Sequence, residues 1–263
     1  MICNNETAFV FDLDKTIGYF TQISMFIDGI EEFIERKLKR KEFFKLLDLY
    51  PEIFRPEIFS TFNYLLRLKK NNKCVKILIY TNNIGPKSWV HDIRKYIEHK
   101  LHYRLFDRTI AAWKVRGIIY EKCRTTHNKT PKDLINCGKL SKNCKIVFFD
   151  DQTHQDMFNN NIFYRPLDGY RRDILFENMI TRFLNSKLAH IIKKNKLKYF
   201  KSFILKIVRY SPSGFRYVEK PYKSKIHPKN NILKTIKNYV KKHHFRKLTK
   251  KRRRRRKKVT RKI

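Results

Sequence analysis

Two carboxylates one residue apart, Asp12 and Asp14, close the apolar run Ala8-Phe9-Val10-Phe11 in the string Asp12-Leu13-Asp14-Lys15-Thr16. Side chains alternate along an extended backbone, so both carboxylates project to one side just past a strand tip. That placement suits a nucleophile with an acid/base partner beside it. Taken alone, the string also fits a Ca²⁺ loop or an ordinary strand-end turn. A second short run, Val75 to Tyr80, is β-branched and aromatic and ends in Thr81-Asn82-Asn83, where a hydroxyl can hydrogen-bond a phosphate oxygen. A third, Lys145 to Phe149, runs straight into Asp150-Asp151. Two acidic strand tips at one sheet edge repel, and a hard divalent cation with oxygen ligands relieves that repulsion. Between them, Pro131 stands at a predicted first helical position ahead of Lys132-Asp133-Leu134, a cation within reach of a transferred phosphoryl group.

This ordered set resembles the haloacid-dehalogenase superfamily of phosphotransferases, with its Asp-x-Asp-x-Thr, a strand-end Thr, a Lys and an acidic pair. In detail it is most similar to the branch that dephosphorylates phosphoserine in proteins, the C-terminal-domain phosphatases of RNA polymerase II and their small relatives. The first motif of that branch, D-L-D-E-T-L, is matched by Asp12-Leu13-Asp14-Lys15-Thr16-Ile17. Its R-P ahead of a helix and its Y-T strand end are matched by Arg55-Pro56 and Tyr80-Thr81. Its K-D-L with a later Gly fits Lys132, Asp133, Leu134 and Gly138, and its F-D element fits Phe106-Asp107. The resemblance spans residues 6 to 185. Lys15 departs from the acidic residue usual at its position. The stretch Gly29 to Leu49, with Ile30, Phe33, Ile34 and Leu38 at helical period, stands where the relatives have an extended hairpin insert. The gap from Thr81 to Lys132 is also long, which leaves Lys129 and Lys114 as alternatives for the phosphate-binding lysine.

The resemblance implies a Mg²⁺-dependent phosphoserine/phosphothreonine phosphatase. Asp12 would be the nucleophile that forms an aspartyl-phosphate and Asp14 the acid/base. Thr81, Asn82 and Lys132 would hold the phosphate, and Asp12, Asp14, Asp150 and Asp151 the metal. Phosphate-monoester hydrolysis is among the slowest uncatalysed reactions, so such a site must lower the barrier by roughly 20 kcal/mol. A nucleic-acid end phosphatase, and a nucleic-acid-binding protein using the same fold as scaffold, are the rival readings.

The elements that must position these groups alternate strand and helix, which predicts an α/β, doubly wound, mostly parallel sheet with helices on both faces. Ile58, Phe59, Phe62, Leu65 and Leu66 mark a helix after Pro56, and Trp89, Ile93 and Tyr96 another entered near Pro86, its positive end close to the phosphate pocket. Thr109 to Val115 and Gly117 to Tyr120 are expected as a hairpin. Asn161 to Pro166 reads as the last strand, and Tyr170 to Leu184 as the closing helix. His154 reads as a surface histidine.

Charge sets the domain limits. The 263 residues hold 62 Lys+Arg against 23 Asp+Glu, and 30 of those cations follow residue 185 alongside a single acid, Glu219. The expected divisions are a catalytic domain over 1–185, a basic amphipathic and aromatic extension over 186–244, and a Lys/Arg-rich disordered tail over 245–263. Ile191, Phe200, Phe203, Ile204 and Ile207 predict an amphipathic helix that docks on the core or lies on an anionic surface. The terminal block suits nuclear import or a nucleic-acid contact. The implied partners are a phosphorylated protein, such as an RNA polymerase II tail, and nucleic acid through residues 186–263. Five cysteines without C-x-x-C spacing favour a reduced intracellular compartment, which the basic terminal block narrows to a nuclear one, with Cys74 and Cys144 packing at strand starts. No transmembrane run or secretory leader is expected.

Overall fold

The computed structural model describes residues 6–72, 74–210, 222 and 231–243. One compact unit runs to Ile226 and a second begins at His227. In the first unit, β1 (Thr7–Phe11) leads to α1 (Thr21–Ile34), α2 (Arg40–Asp48), α3 (Ile58–Asn71), β2 (Val75–Tyr80), α4 (Lys87–Lys100) and β3 (Arg108–Ile110). The hairpin β4 (Lys114–Val115) and β5 (Ile118–Ile119) follows, then α5 (Pro131–Gly138), β6 (Lys145–Asp150), β7 (Ile162–Pro166), α6 (Phe176–Leu184) and α7 (Leu197–Tyr210). The described part of the second unit is a helix over 232–243.

Five strands form one parallel sheet in the order β3-β2-β1-β6-β7. Both faces are covered, which is why the strands read as continuous apolar runs. On one face Val10, Leu78, Tyr80, Ile146 and Phe148 meet Leu134 and Cys137 of α5. On the other, Phe62 of α3 packs its ring 5.4 Å from Phe11 and 5.4 Å from Phe106. The chain leaves β1 sideways to β2 and β3, then crosses back to place β6 on the opposite flank of β1. The strand order thus reverses between β1 and β6, and a crevice opens there at the carboxyl ends of the strands.

The stretch from Gly29 to Leu49 is helical through Ile34 and again over Arg40–Asp48, but the helix breaks at residues 35–39, which leaves Leu38 outside the expected helical period. Phe26 of α1 packs against Phe176 and Phe183 of α6 and Phe200 of α7. Gly29 permits the crossing, since a Cβ there would stand 2.9 Å from Ile204 Cδ1. The amphipathic segment after residue 185 therefore docks on the core, burying Phe200, Ile204 and Val208, and the compact unit continues past 185 to Ile226. The expected disordered tail over 245–263 lies outside the described residues.

Three local expectations are corrected. The closing helix starts at Phe176 and not at Tyr170, because the buried Gln22 amide takes both backbone groups of Ile174, accepting from its N–H and donating to its C=O. Thr109 belongs to β3 in the main sheet, so the expected hairpin shrinks to β4 and β5, turning on Arg116 and Gly117 at φ of 51° and 81°. The cysteines are not all thiols: Cys123 and Cys137 are disulfide-bonded, their Cα atoms 5.3 Å apart where the loop after β5 folds back on α5. Cys74, expected only to pack, is disulfide-bonded too, while Cys144 is a buried free thiol. Among the described residues no helix is long and apolar enough to cross a membrane.

Candidate active site

The parallel register pairs Phe11 with Phe149, so the next residues, Asp12 and Asp150, leave adjacent strands side by side at the crevice. The Asp12 N–H donates to the Phe149 carbonyl at 2.9 Å, which fixes that placement. Asp12, Asp150 and Asp151 each present a carboxylate oxygen within 4.8 Å of the other two. Three hard oxygen donors at that span suit one small divalent cation with only slight side-chain closure.

Beyond Asp12 the backbone turns tightly. Lys15 adopts the left-handed conformation at φ 57°, and its N–H donates to the Gly18 carbonyl at 2.6 Å. Gly18 is required here, because a Cβ would meet the Ile53 carbonyl oxygen at 2.7 Å. Arg55 clamps this turn from below: its guanidinium donates to the carbonyls of Thr16 (2.8 Å), Lys15 (2.7 Å) and Asp168 (2.7 Å). Burial pulls Arg55 down to about 10, which leaves it charged at neutral pH. The Arg-Pro pair noted in the sequence thus anchors the loop that carries Asp14.

Asp14 accepts a hydrogen bond from Asn83 Nδ2 at 2.7 Å, and the Asn83 Oδ1 accepts from the Gly85 N–H at 2.9 Å. The amide is therefore held with its NH₂ toward Asp14. Burial raises Asp14 above the usual carboxylate range, opposed by the Asn83 hydrogen bond. Thr81 is buried at the tip of β2, its hydroxyl accepting from the Asn83 N–H at 3.1 Å. Asn82, expected at the phosphate, turns its side-chain oxygen to Arg124 Nη1 at 2.8 Å. Asn83 is the residue of this tip that reaches the acids, and the consecutive asparagines gave no means of choosing between them.

The lysine at the centre is Lys129. Its Nζ lies 2.5 Å from Asp12 Oδ1 and 2.8 Å from Asp150 Oδ2, with the side chain 2% exposed. The rings of Tyr80 and Phe148 lie beneath it, at 5.8 and 5.6 Å. Lys132 is exposed on the first turn of α5, outside this contact set. The K-D-L match favoured it, but Thr130 is the N-cap and Pro131 opens the helix, so the residue entering the pocket is the last one of the preceding loop. Lys114 lies in β4, its ammonium over the Trp113 ring at 4.2 Å.

Charge balance follows from this packing. Burial opposes the charge on Lys129, yet the attraction of Asp12 and Asp150 outweighs it and holds the ammonium above the usual lysine range. Burial pushes Asp12 up against the pull of Lys129, and with Asp150 and Asp14 adding repulsion it reaches about 7. Asp150 is buried too, but His154, Lys129 and the Gln152 N–H together hold it below the usual value. Asp151 is raised by burial and by Asp150. His154 is no surface histidine: its Nε2 sits 3.4 Å from Asp150 Oδ2 with the side chain 13% exposed. The four-residue interval from Asp150 was the available signal.

Three further buried side-chain atoms, Thr16 Oγ1, Arg55 Nη1 and Arg124 Nε, have no hydrogen-bond partner among the described residues. Compared with known proteins, the chain matches no family model, no curated protein and no solved structure.

Proposed function

We propose that this chain is a Mg²⁺-dependent phosphoserine/phosphothreonine phosphatase of the haloacid-dehalogenase type. The observation that carries the reading is the convergence of Asp12, Asp150 and Asp151 within 4.8 Å around Lys129, with Asp14 beside them on Asn83. An Asp12 carboxylate oxygen attacks phosphorus as the P–O bond to the serine or threonine breaks. Asp14 gives its proton to the departing oxygen, then takes one from the water that cleaves the aspartyl-phosphate and frees phosphate. The raised affinity of Asp14 for its proton suits the first of these tasks. Lys129 and Thr81 hold the equatorial oxygens, where charge spreads in the transition state. Asp12, Asp150 and Asp151, with the Asp14 carbonyl, would hold Mg²⁺, which when bound offsets repulsion between anionic nucleophile and anionic substrate.

The 30 cations after residue 185 favour a polyanionic target, either a multiply phosphorylated protein such as a polymerase tail or a nucleic-acid end, and a nuclear site of action. The test compares Mg²⁺-dependent phosphate release from phosphoserine peptides and from 3′- and 5′-phosphorylated oligonucleotides, with Asp12→Asn as control. Turnover of the peptides supports the protein-phosphatase reading. Preference for the oligonucleotides replaces it with the nucleic-acid one. Release that persists in the Asp12→Asn protein removes Asp12 as nucleophile.

A further inference from the structure

Arg124 is 2% exposed, yet among the described residues no carboxylate lies within ion-pair distance of it. Its partners are neutral and come from three separate segments. Nη1 donates to the Thr81 carbonyl at 3.3 Å and the Asn82 Oδ1 at 2.8 Å, both on the tip of β2. The same nitrogen reaches the Ala111 carbonyl, just past β3, at 2.9 Å. Nη2 donates to the carbonyls of His127 at 2.9 Å and Asn128 at 3.1 Å, the two residues directly before Lys129. The face of Tyr80 supports the guanidinium at 4.9 Å. The loop is fixed at its other end as well, since the Asp133 carboxylate accepts from the Thr125 N–H at 3.1 Å and its hydroxyl at 2.9 Å.

A planar fork with five donors can bridge two loops at a set separation, which a lysine ammonium on a flexible stem cannot reproduce. Thr81 and Lys129 lie on two separate segments, and Arg124 bonds the backbone of both, while the Tyr80 hydroxyl adds one bond from the Thr130 N–H at 3.2 Å. We propose that Arg124 is the positioning residue that sets the distance between the Thr81 tip and Lys129, so that the two reach the transferred phosphoryl group together. The proposal rests on the phosphatase reading for its kinetic consequence, and on the hydrogen-bond pattern alone for its structural one. Contacts that tighten in the transition state are the ones a small misplacement harms most. Loss of the fork should therefore lower kcat far more than it changes KM.

The test uses the full-length protein with Arg124→Lys, which keeps the charge, and Arg124→Met, each normalised to its folded fraction by calorimetry. One arm measures kcat and KM on a phosphoserine peptide with Mg²⁺. The other measures reductive methylation of Lys129 by mass spectrometry without substrate. In Arg124→Lys we expect kcat to fall at least tenfold with KM within threefold, and Lys129 to be methylated at least tenfold faster than in the parent. Parent-like kcat together with parent-like Lys129 protection in folded Arg124→Lys overturns the proposal, even if Arg124→Met does not fold. If the parent releases no phosphate, the phosphatase reading fails by itself, and the methylation arm still decides whether Arg124 holds the Lys129 loop.

Discussion

The Lys129 ammonium lies 2.5 Å from the Asp12 carboxylate and 117 residues from it in sequence. Removing one partner from a buried ion pair leaves the other charge desolvated and uncompensated, at a cost of about 3–5 kcal/mol. Lys129→Met should lose about that much stability by urea denaturation and release almost no phosphate. Lys132→Ala, a change on the exposed first turn of α5, should stay within about 0.5 kcal/mol of the parent. Equal damage from the two substitutions contradicts the assignment of Lys129.

Asp14 is expected to work by moving a proton, and positioned acid/base groups contribute about 10²–10⁴ in rate. Asp14→Asn should lower kcat by that range while an Asp12→Asn protein shows no turnover above background. The deficit of Asp14→Asn should shrink for substrates with better leaving groups, such as aryl phosphates, because these need less protonation. A constant deficit across leaving groups argues against the acid role.

A ligand that binds only the folded chain raises stability by mass action, by about 2.7 kcal/mol at a hundred times its dissociation constant. Titration with MgCl₂ should raise the melting temperature of the parent. Asp151→Asn, which removes one oxygen donor from the 4.8 Å cluster, should require more Mg²⁺ for the same shift. The readout is calorimetric and independent of turnover.

Phe200 is fully buried, its ring 5.2 Å from Phe33 and 5.2 Å from Phe183. Truncating such a side chain typically costs about 3–5 kcal/mol. Phe200→Ala should destabilise the whole first unit by that amount in a single transition, because α7 is part of its core. A separate, lower-melting transition confined to the region after residue 185 would falsify the docking of α7.

The Cys144 thiol is pushed up to about 12 by burial, with Glu6 adding to the shift. An unfolded thiol titrates near 8.5, so between roughly pH 9 and 12 the unfolded chain has released a proton that the folded one retains. Stability should fall as pH rises through that window, and Cys144→Ala should flatten the slope. At pH 8 alkylation of Cys144 by iodoacetamide should proceed only as fast as the protein unfolds.

Much of the sheet was legible because strands covered on both faces must be continuous apolar runs: Ala8 to Phe11, Val75 to Tyr80 and Lys145 to Phe149 all became strands within a residue of their expected limits. β3 was not, since Arg108, Thr109 and Ile110 carry too little pattern to distinguish a strand from a loop. The acids were found because they sit at the ends of those runs. Lys129, Asn83 and Arg124 were harder, because loop residues are placed by long-range hydrogen bonds that leave no local period. Gln22 illustrates the same limit, bonding Ile174 across 152 residues and cutting short a helix that the apolar spacing extends.

β1 pairs with residues that begin at Val75 on one flank and Lys145 on the other. The strand that leads into Asp12 is thus made before either of the strands that flank it. During translation one edge stays open until β2 is made and the other until β6, a circumstance that slows folding and invites aggregation. A fragment ending before residue 145 lacks both β6 and the acids beside Asp12, and should be insoluble.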